Sequence, residues 1–162
     1  MKNYNNIKNK IIHYAKEILL FVVVMVVFAN AISFYKAMDL NKQALDINYE
    51  YNTSKPMLIH VWATWCPTCK VEASNIQSIS KDYQVLTFVV KSGTDADIEN
   101  YMKENNLNFN TINDNDGSFA QKFNIAAYPT TFIYDKNQEL IFSEVGYTST
   151  LGLKLRMWYA NL

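Results

Sequence analysis

Apolar and polar positions divide the chain into three stretches of different texture. Residues 18–35 carry no charge and centre on Phe21-Val-Val-Val-Met-Val-Val-Phe28. As a helix this run reaches about 27 Å, enough to cross the hydrocarbon core of a bilayer. Residues 36–55 are polar, with Asp39, Asn41, Lys42, Asp46, Asn48 and Asn52, and predict a linker with room for one short strand near 45–49. From Pro56 onward, short apolar runs alternate with amphipathic ones.

Residues 57–62 (Met-Leu-Ile-His-Val-Trp) suit a buried strand, and Pro56 stands at its start, where a missing N–H is tolerated. Residues 66–80 have helical spacing, with Val71, Ala73, Ile76 and Ile79 set to one side. A second strand covers 84–90. Thr94 and Asp97 have the capping-box arrangement ahead of Ile98, Tyr101, Met102 and Leu107, which predicts a second helix. Thr111 and Ile112 make a short strand, Asp114-Asn-Asp-Gly117 a turn, and 118–123 a short helix. Residues 130–134 and 139–145 flank Asp135-Lys-Asn-Gln138 as a hairpin, and a last helix runs over about 150–160. Strands alternating with helices imply an α/β fold with a parallel central sheet, to which the late hairpin adds antiparallel strands.

Charge changes the reading of the first stretch. Lys2, Lys8, Lys10 and Lys16 face a single acid, Glu17, just before the apolar run. By the positive-inside rule these lysines stay cytoplasmic and the rest is exported. That predicts a single pass through a bacterial inner membrane, with the following domain in the periplasm. Ala29-Asn30-Ala31 has the form of a signal-peptide cleavage site, but the apolar run continues through Ile32 and Phe34, which favours an uncleaved anchor. The expected organisation is a cytoplasmic basic segment (1–17), a transmembrane signal-anchor helix (18–35), a linker (36–55) and one folded domain (56–162). For the whole 162-residue chain the formal net charge is +0, and no basic block suggests nucleic acid as a partner.

The chain has two cysteines, too few for a framework of several disulfides. They lie in Trp62-Ala-Thr-Trp-Cys-Pro-Thr-Cys69, where a strand passes into a helix. A thiolate is the nucleophile of disulfide exchange, and the unpaired N–H groups and dipole of a helix N-terminus stabilise it. Cys66 falls at the N-cap and Pro67 at the first helical position, where no N–H is needed. One turn on, Cys69 is placed to attack a mixed disulfide on Cys66 and release the partner. Half a zinc site is the competing reading, but no second cysteine pair exists, and His13 and His60 lie before the apolar run and inside a strand. A Cu(I)-binding, non-enzymatic pair remains an alternative, since soft thiolates suit that ion. The Asp114-Asn-Asp-Gly turn lacks the alternating ligands of a calcium loop. Asn52 stands in a glycosylation sequon that chance occurrence explains.

Val61-Trp-Ala-Thr-Trp-Cys66, followed by two residues and Cys69, resembles the active-site segment of thioredoxin-like proteins, and Tyr128-Pro-Thr-Thr-Phe132 resembles their cis-proline loop. Within that family the chain is most similar to the membrane-tethered TlpA, ResA and suppressor-of-copper-sensitivity D group, over about residues 56–160. Lys91-Ser-Gly93, Asn113-Asp-Asn-Asp-Gly117 and the C-terminal Gly146-Tyr-Thr-Ser149 carry this further likeness. The resemblance implies a thioredoxin fold, a central mixed sheet flanked by helices. It also implies a protein thiol-disulfide oxidoreductase whose only redox group is the Cys66–Cys69 pair, with no added cofactor and no metal. Pro129 is expected to be cis and to face the cysteines, with Tyr128 offering backbone groups to bound substrate beside Trp65, Pro67 and Thr68. Implied partners are exported proteins with thiols or disulfides, apocytochrome c and copper-stressed proteins among them, and a membrane electron donor of the thiol-disulfide transporter type. Reduction of client disulfides is the first expectation, and a disulfide-forming oxidant of the same fold the alternative, separated only by redox potential. A peroxidase on this fold is disfavoured because Ala63, rather than Thr, lies three residues before Cys66.

His60 stands six residues before Cys66, where many thioredoxins hold a buried aspartate. Desolvation there would lower its pKa and leave a neutral imidazole able to accept a proton from Cys69 during the second step, with an effect on pH dependence between about pH 6 and 8. A strand histidine hydrogen-bonded with no catalytic part is the competing reading.

Overall fold

The structure, a computed structural model, describes residues 2–38 and 54–162. The expected short strand near 45–49 and the sequon at Asn52 lie outside the described residues. Two compact units are separable, Met1–Tyr35 and Lys36–Leu162. The first is helix α1 (Lys2–Met38), which contains the run expected to cross a membrane. Its apolar side chains, including Leu19, Leu20, Phe21, Val24 and Phe28, are exposed around the helix and not along one stripe. Among the described residues no helix is long and apolar enough to cross a membrane. Within 18–35 the side chains at 26, 29, 30 and 33–35 lie outside that description.

The second unit is built from β1 (Met57–Trp62), α2 (Pro67–Ile79), β2 (Gln84–Val90), α3 (Asp95–Glu104), β3 (Asn110–Asp114), α4 (Ser118–Lys122), β4 (Thr130–Tyr134), β5 (Leu140–Val145) and α5 (Thr150–Ala160). The strands form one mixed sheet in the order β3-β2-β1-β4-β5. β1–β2 and β2–β3 are parallel, whereas β1–β4 and β4–β5 are antiparallel. The parallel half follows from the helical crossovers and the antiparallel half from the late hairpin. β1 is central and buried at every position, so it is apolar throughout apart from His60.

Because side chains alternate across a strand, β1 feeds two cores. Leu58 and Trp62 join Cys66, Cys69, Ile76, Ile133, Leu153 and Met157 on the face covered by α2 and α5. Met57, Ile59 and Val61 join Phe88, Ala120, Phe123 and Phe132 on the face covered by α4. Each helix starts with the device its sequence offers. Thr94 accepts from the Asp97 N–H at 3.3 Å while Asp97 accepts from the Thr94 N–H at 2.8 Å, the expected capping box of α3. The Asp114 carboxylate accepts from the N–H groups of Phe119 and Ala120, both at 3.0 Å, so the Asp114–Gly117 turn serves to start α4.

Two local expectations are corrected. β3 extends over Asn110–Asp114 rather than Thr111 and Ile112, because all five residues pair with β2 from Leu86 to Val90. On α2 the buried side comprises Cys69, Glu72, Ala73, Ile76 and Ile79, while Val71 is 65% exposed. Spacings of three and four from Cys69 select that set, and Val71, two residues on, points the opposite way.

Candidate redox site

Strand β1 ends at Trp62, and the chain turns through Ala63 to Trp65 before α2 begins. Cys66 is the N-cap of α2, with extended backbone (φ −85°, ψ 115°) and Pro67 in the first turn. Its sulfur accepts from the Cys69 N–H at 3.2 Å, which aims an otherwise unpaired helix donor at the reactive atom. Cys66 and Cys69 are joined as a disulfide, with Cα atoms 5.3 Å apart. Both are buried, Cys69 more completely, and the residues bracketing Cys66 (Trp65, Pro67 and Thr68) are all exposed.

The second wall comes from the loop entering β4. The Tyr128–Pro129 bond is cis, and the Tyr128 carbonyl oxygen lies 3.6 Å from Cys66 Sγ. Two bonds fix this loop: Thr130 Oγ1 donates to the Ala127 carbonyl at 2.8 Å, and the Gly146 N–H donates to the Pro129 carbonyl at 2.8 Å. Trp65 bridges the two walls. Its ring meets Tyr128 edge to face at 5.7 Å, and its Nε1 donates to the Lys91 carbonyl at 3.1 Å. Ser92 Oγ accepts from the Thr64 N–H at 3.0 Å and donates to the Val90 carbonyl at 2.9 Å, so the Lys91-Ser-Gly93 segment anchors the approach to the cysteines.

Two buried ionisable groups lie on the α2 side of the sheet. His60 follows the register of Leu58 and Trp62, and its Nδ1 pairs with Thr131 Oγ1 on β4 at 3.0 Å. Complete burial lowers its pKa to about 3, so the imidazole is neutral as expected, but its titration falls far below the pH 6 to 8 range. Glu72 is 0% exposed, one helical turn beyond Cys69. Its Oε1 accepts from the Thr148 N–H at 3.1 Å, while Oε2 has no hydrogen-bond partner. Burial raises its pKa to about 8, against the opposing effect of the Thr148 bond and with a smaller contribution from the Glu144 charge. Sequence reasoning missed Glu72. The available signal was its three-residue spacing from Cys69 on the side that carries Ala73, Ile76 and Ile79.

The structure thus brings Cys66, Cys69, Trp65 and Tyr128 together in contact, places Pro129 next in the chain after Tyr128 through a cis bond, puts Pro67 and Thr68 on the exposed first turn, and sets His60 in the sheet below. A mixed sheet flanked by helices, with a cysteine pair at a helix N-terminus against a cis-proline loop, defines a thioredoxin fold with a Cys-x-x-Cys site. Residues 30–143 match the AhpC/TSA family, and the chain belongs to that family. Over 109 residues it is 36% identical to a thioredoxin-like protein of Haemophilus influenzae, covering 67% of this chain and 65% of that one. It is 26% identical over 110 residues to sporulation thiol-disulfide oxidoreductase A of Bacillus subtilis, covering 64% of this chain and 67% of that protein. The crystal structure of StoA from Bacillus subtilis superposes with a TM-score of 0.56 at 25% identity, over 63% of this chain and 81% of that one. The chain therefore spans about two thirds of the length of these two curated relatives.

Proposed function

We propose that this protein is a thiol-disulfide oxidoreductase that exchanges electrons with exported proteins from a membrane anchor. The observation that carries the reading is the Cys66–Cys69 pair at the start of α2, with the Tyr128 carbonyl 3.6 Å from the Cys66 sulfur. In the reducing direction the Cys66 thiolate attacks a client disulfide, forms a mixed disulfide and expels one client thiolate. Cys69 then gives its proton to the Glu72 carboxylate and attacks the Cys66 sulfur. This closes the Cys66–Cys69 disulfide and expels the second client thiolate, which takes up a proton from solvent. Two electrons have passed from the dithiol to the client, and a dithiol-bearing membrane electron donor restores the pair. Tyr128 and Trp65 flank Cys66 and receive the client backbone. His60 contributes a neutral group below the pair, where an aspartate would repel the thiolate.

Glu72 is suited to the proton step by position and by pKa. At about 8 it exchanges a proton near neutrality, whereas His60 at about 3 does not. Anchoring is supported by the uncharged run 18–35 behind four lysines and by the all-round exposure of apolar side chains on α1. Alkaline phosphatase fused after residue 45 is expected to be active and fused after residue 10 inactive; the opposite pattern would overturn the topology. The direction of exchange is tested by the equilibrium potential in glutathione buffers. A value near about −270 mV identifies a reductant, and one near about −120 mV an oxidant that forms disulfides.

A further inference from the structure

We infer that the Glu144–Arg156 ion pair, acting through Thr148, governs the titration of Glu72 and thereby the pH at which Cys69 releases a client. The inference rests on the proton role given to Glu72 above and adds the device that tunes it. Thr148 is the link: its N–H donates to Glu72 Oε1 at 3.1 Å, and its hydroxyl donates to Glu144 Oε2 at 2.9 Å. The other oxygen of Glu144 is paired with Arg156 Nη2. Arg156 is itself held, with Nη1 donating to the Gly152 carbonyl at 2.9 Å and the guanidinium 5.9 Å from the Phe142 ring centroid. One backbone amide thus touches the buried acid, and the same residue's hydroxyl touches an acid at the rim.

The charges around Glu72 are few. The elements around it carry the titratable groups Cys69 and Lys70 on α2, His60 on β1, Tyr134 on β4, Glu144 on β5, and Lys154, Arg156 and Tyr159 on α5; Lys70, Lys154 and Tyr159 are exposed, and Tyr134 lies in the core under α4. His60 is neutral in the working range, and β4 contributes the uncharged Thr131, which pairs with Glu144 in the sheet register and with His60 through its hydroxyl. The Glu144 charge favours the protonated form of Glu72. Arg156 offsets that charge. Little water separates the groups: Thr148 is 8% exposed, so their interaction is screened less than that of a surface pair.

The two ends of the pair then have opposite signs. Arg156→Gln leaves Glu144 uncompensated, so Glu72 should hold its proton to higher pH. Glu144→Gln removes the repulsion and leaves Arg156 as a net cation nearby, so Glu72 should ionise at lower pH. A purely structural role would move both variants the same way or not at all.

The experiment is a carbon-13 NMR titration of the Glu72 carboxyl in the full-length chain, assigned with Glu72→Gln. It is paired with stopped-flow measurement of mixed-disulfide release across pH 6 to 9. Expected is an upward shift of about half a pH unit or more in Arg156→Gln, a downward one in Glu144→Gln, and values close to the parent in Arg156→Lys. The release midpoint should move with the carboxyl, and in a Glu72→Gln background neither substitution should move it. Shifts that are absent or share one sign overturn the inference, as does a release midpoint that stays in place while the carboxyl moves. Failure of the functional reading looks different: the parent protein itself would not exchange disulfides.

Discussion

The two faces of the sheet are made from alternating residues of the same strands, yet they are built on different principles. Under α4, Phe88 stacks on Phe119 at 3.6 Å, Phe119 on Phe123 at 4.5 Å, and Phe123 lies against Phe132 at 5.7 Å. Under α2 and α5 the apolar packing is interrupted by His60, Thr131, Glu72 and Thr148, all buried and polar. An aromatic layer of the first kind contributes burial and dispersion and asks for no partners. The second kind is costly unless each polar group is satisfied, and Glu72 Oε2 is not. Both faces bury an apolar cluster, but the buried ionisable groups His60 and Glu72 lie on the α2 and α5 face, with β1 feeding both.

This contrast can be broken at several points. The largest effect is expected at the cysteines: Cys66→Ser should abolish reduction of insulin while the fold persists, and Cys69→Ser should accumulate mixed disulfides on non-reducing gels. Equal trapping by both variants would remove their assigned roles. On the aromatic face, Phe132→Ala should cost about 3–5 kcal/mol in urea unfolding, with exchange per folded molecule unchanged.

Glu72 lies between these extremes because it is buried with one carboxyl oxygen lacking a hydrogen-bond partner. Its folded pKa, about 8, stands above the value of 4.5 it has when unfolded, so the folded state binds the extra proton between those limits. Its contribution is complete below about pH 4.5 and is lost as pH rises through about 8. Unfolding free energy should therefore fall with a slope of at most about 1.4 kcal/mol per pH unit in that window. Glu72→Gln should flatten the slope, and should slow release of the mixed disulfide by about 100-fold or more. A slope unchanged by the substitution would mean that the carboxyl is ionised in the fold. The smallest effect is expected far from both faces: Thr94→Ala removes the α3 cap and should cost about 1 kcal/mol, with no change in exchange rate.

Much of the fold was legible because its signals are local. Cys66, Pro67 and Cys69 announce a helix start, Thr94 and Asp97 announce another, and β1, β2 and β4 follow apolar runs, whereas the bounds of β3 depend on its pairing with β2. Tyr128 and Pro129 were legible through resemblance. The burial of His60 follows from its place inside an apolar central strand. Burial holds the His60 pKa well below the neutral range and carries that of Glu72 into it, which is why the proposed proton step is assigned to Glu72.

Sequence alone determined the pairing of a Cys-x-x-Cys spacing with a helix start and the order of strands and helices along the chain. Each depends on residues within one or two turns of one another, where backbone geometry leaves little choice. Only the tertiary structure decided that Glu72 is buried and that Val71 is not, since a glutamate following Lys70 and Val71 reads as solvent-facing until the packing of α2 is known. The same holds for the bonds from Thr148 to Glu72 and to Glu144, residues separated by up to 76 positions in the chain. Desolvation and long-range hydrogen bonds are properties of an assembled neighbourhood, and they set the proton affinities of buried groups such as His60 and Glu72.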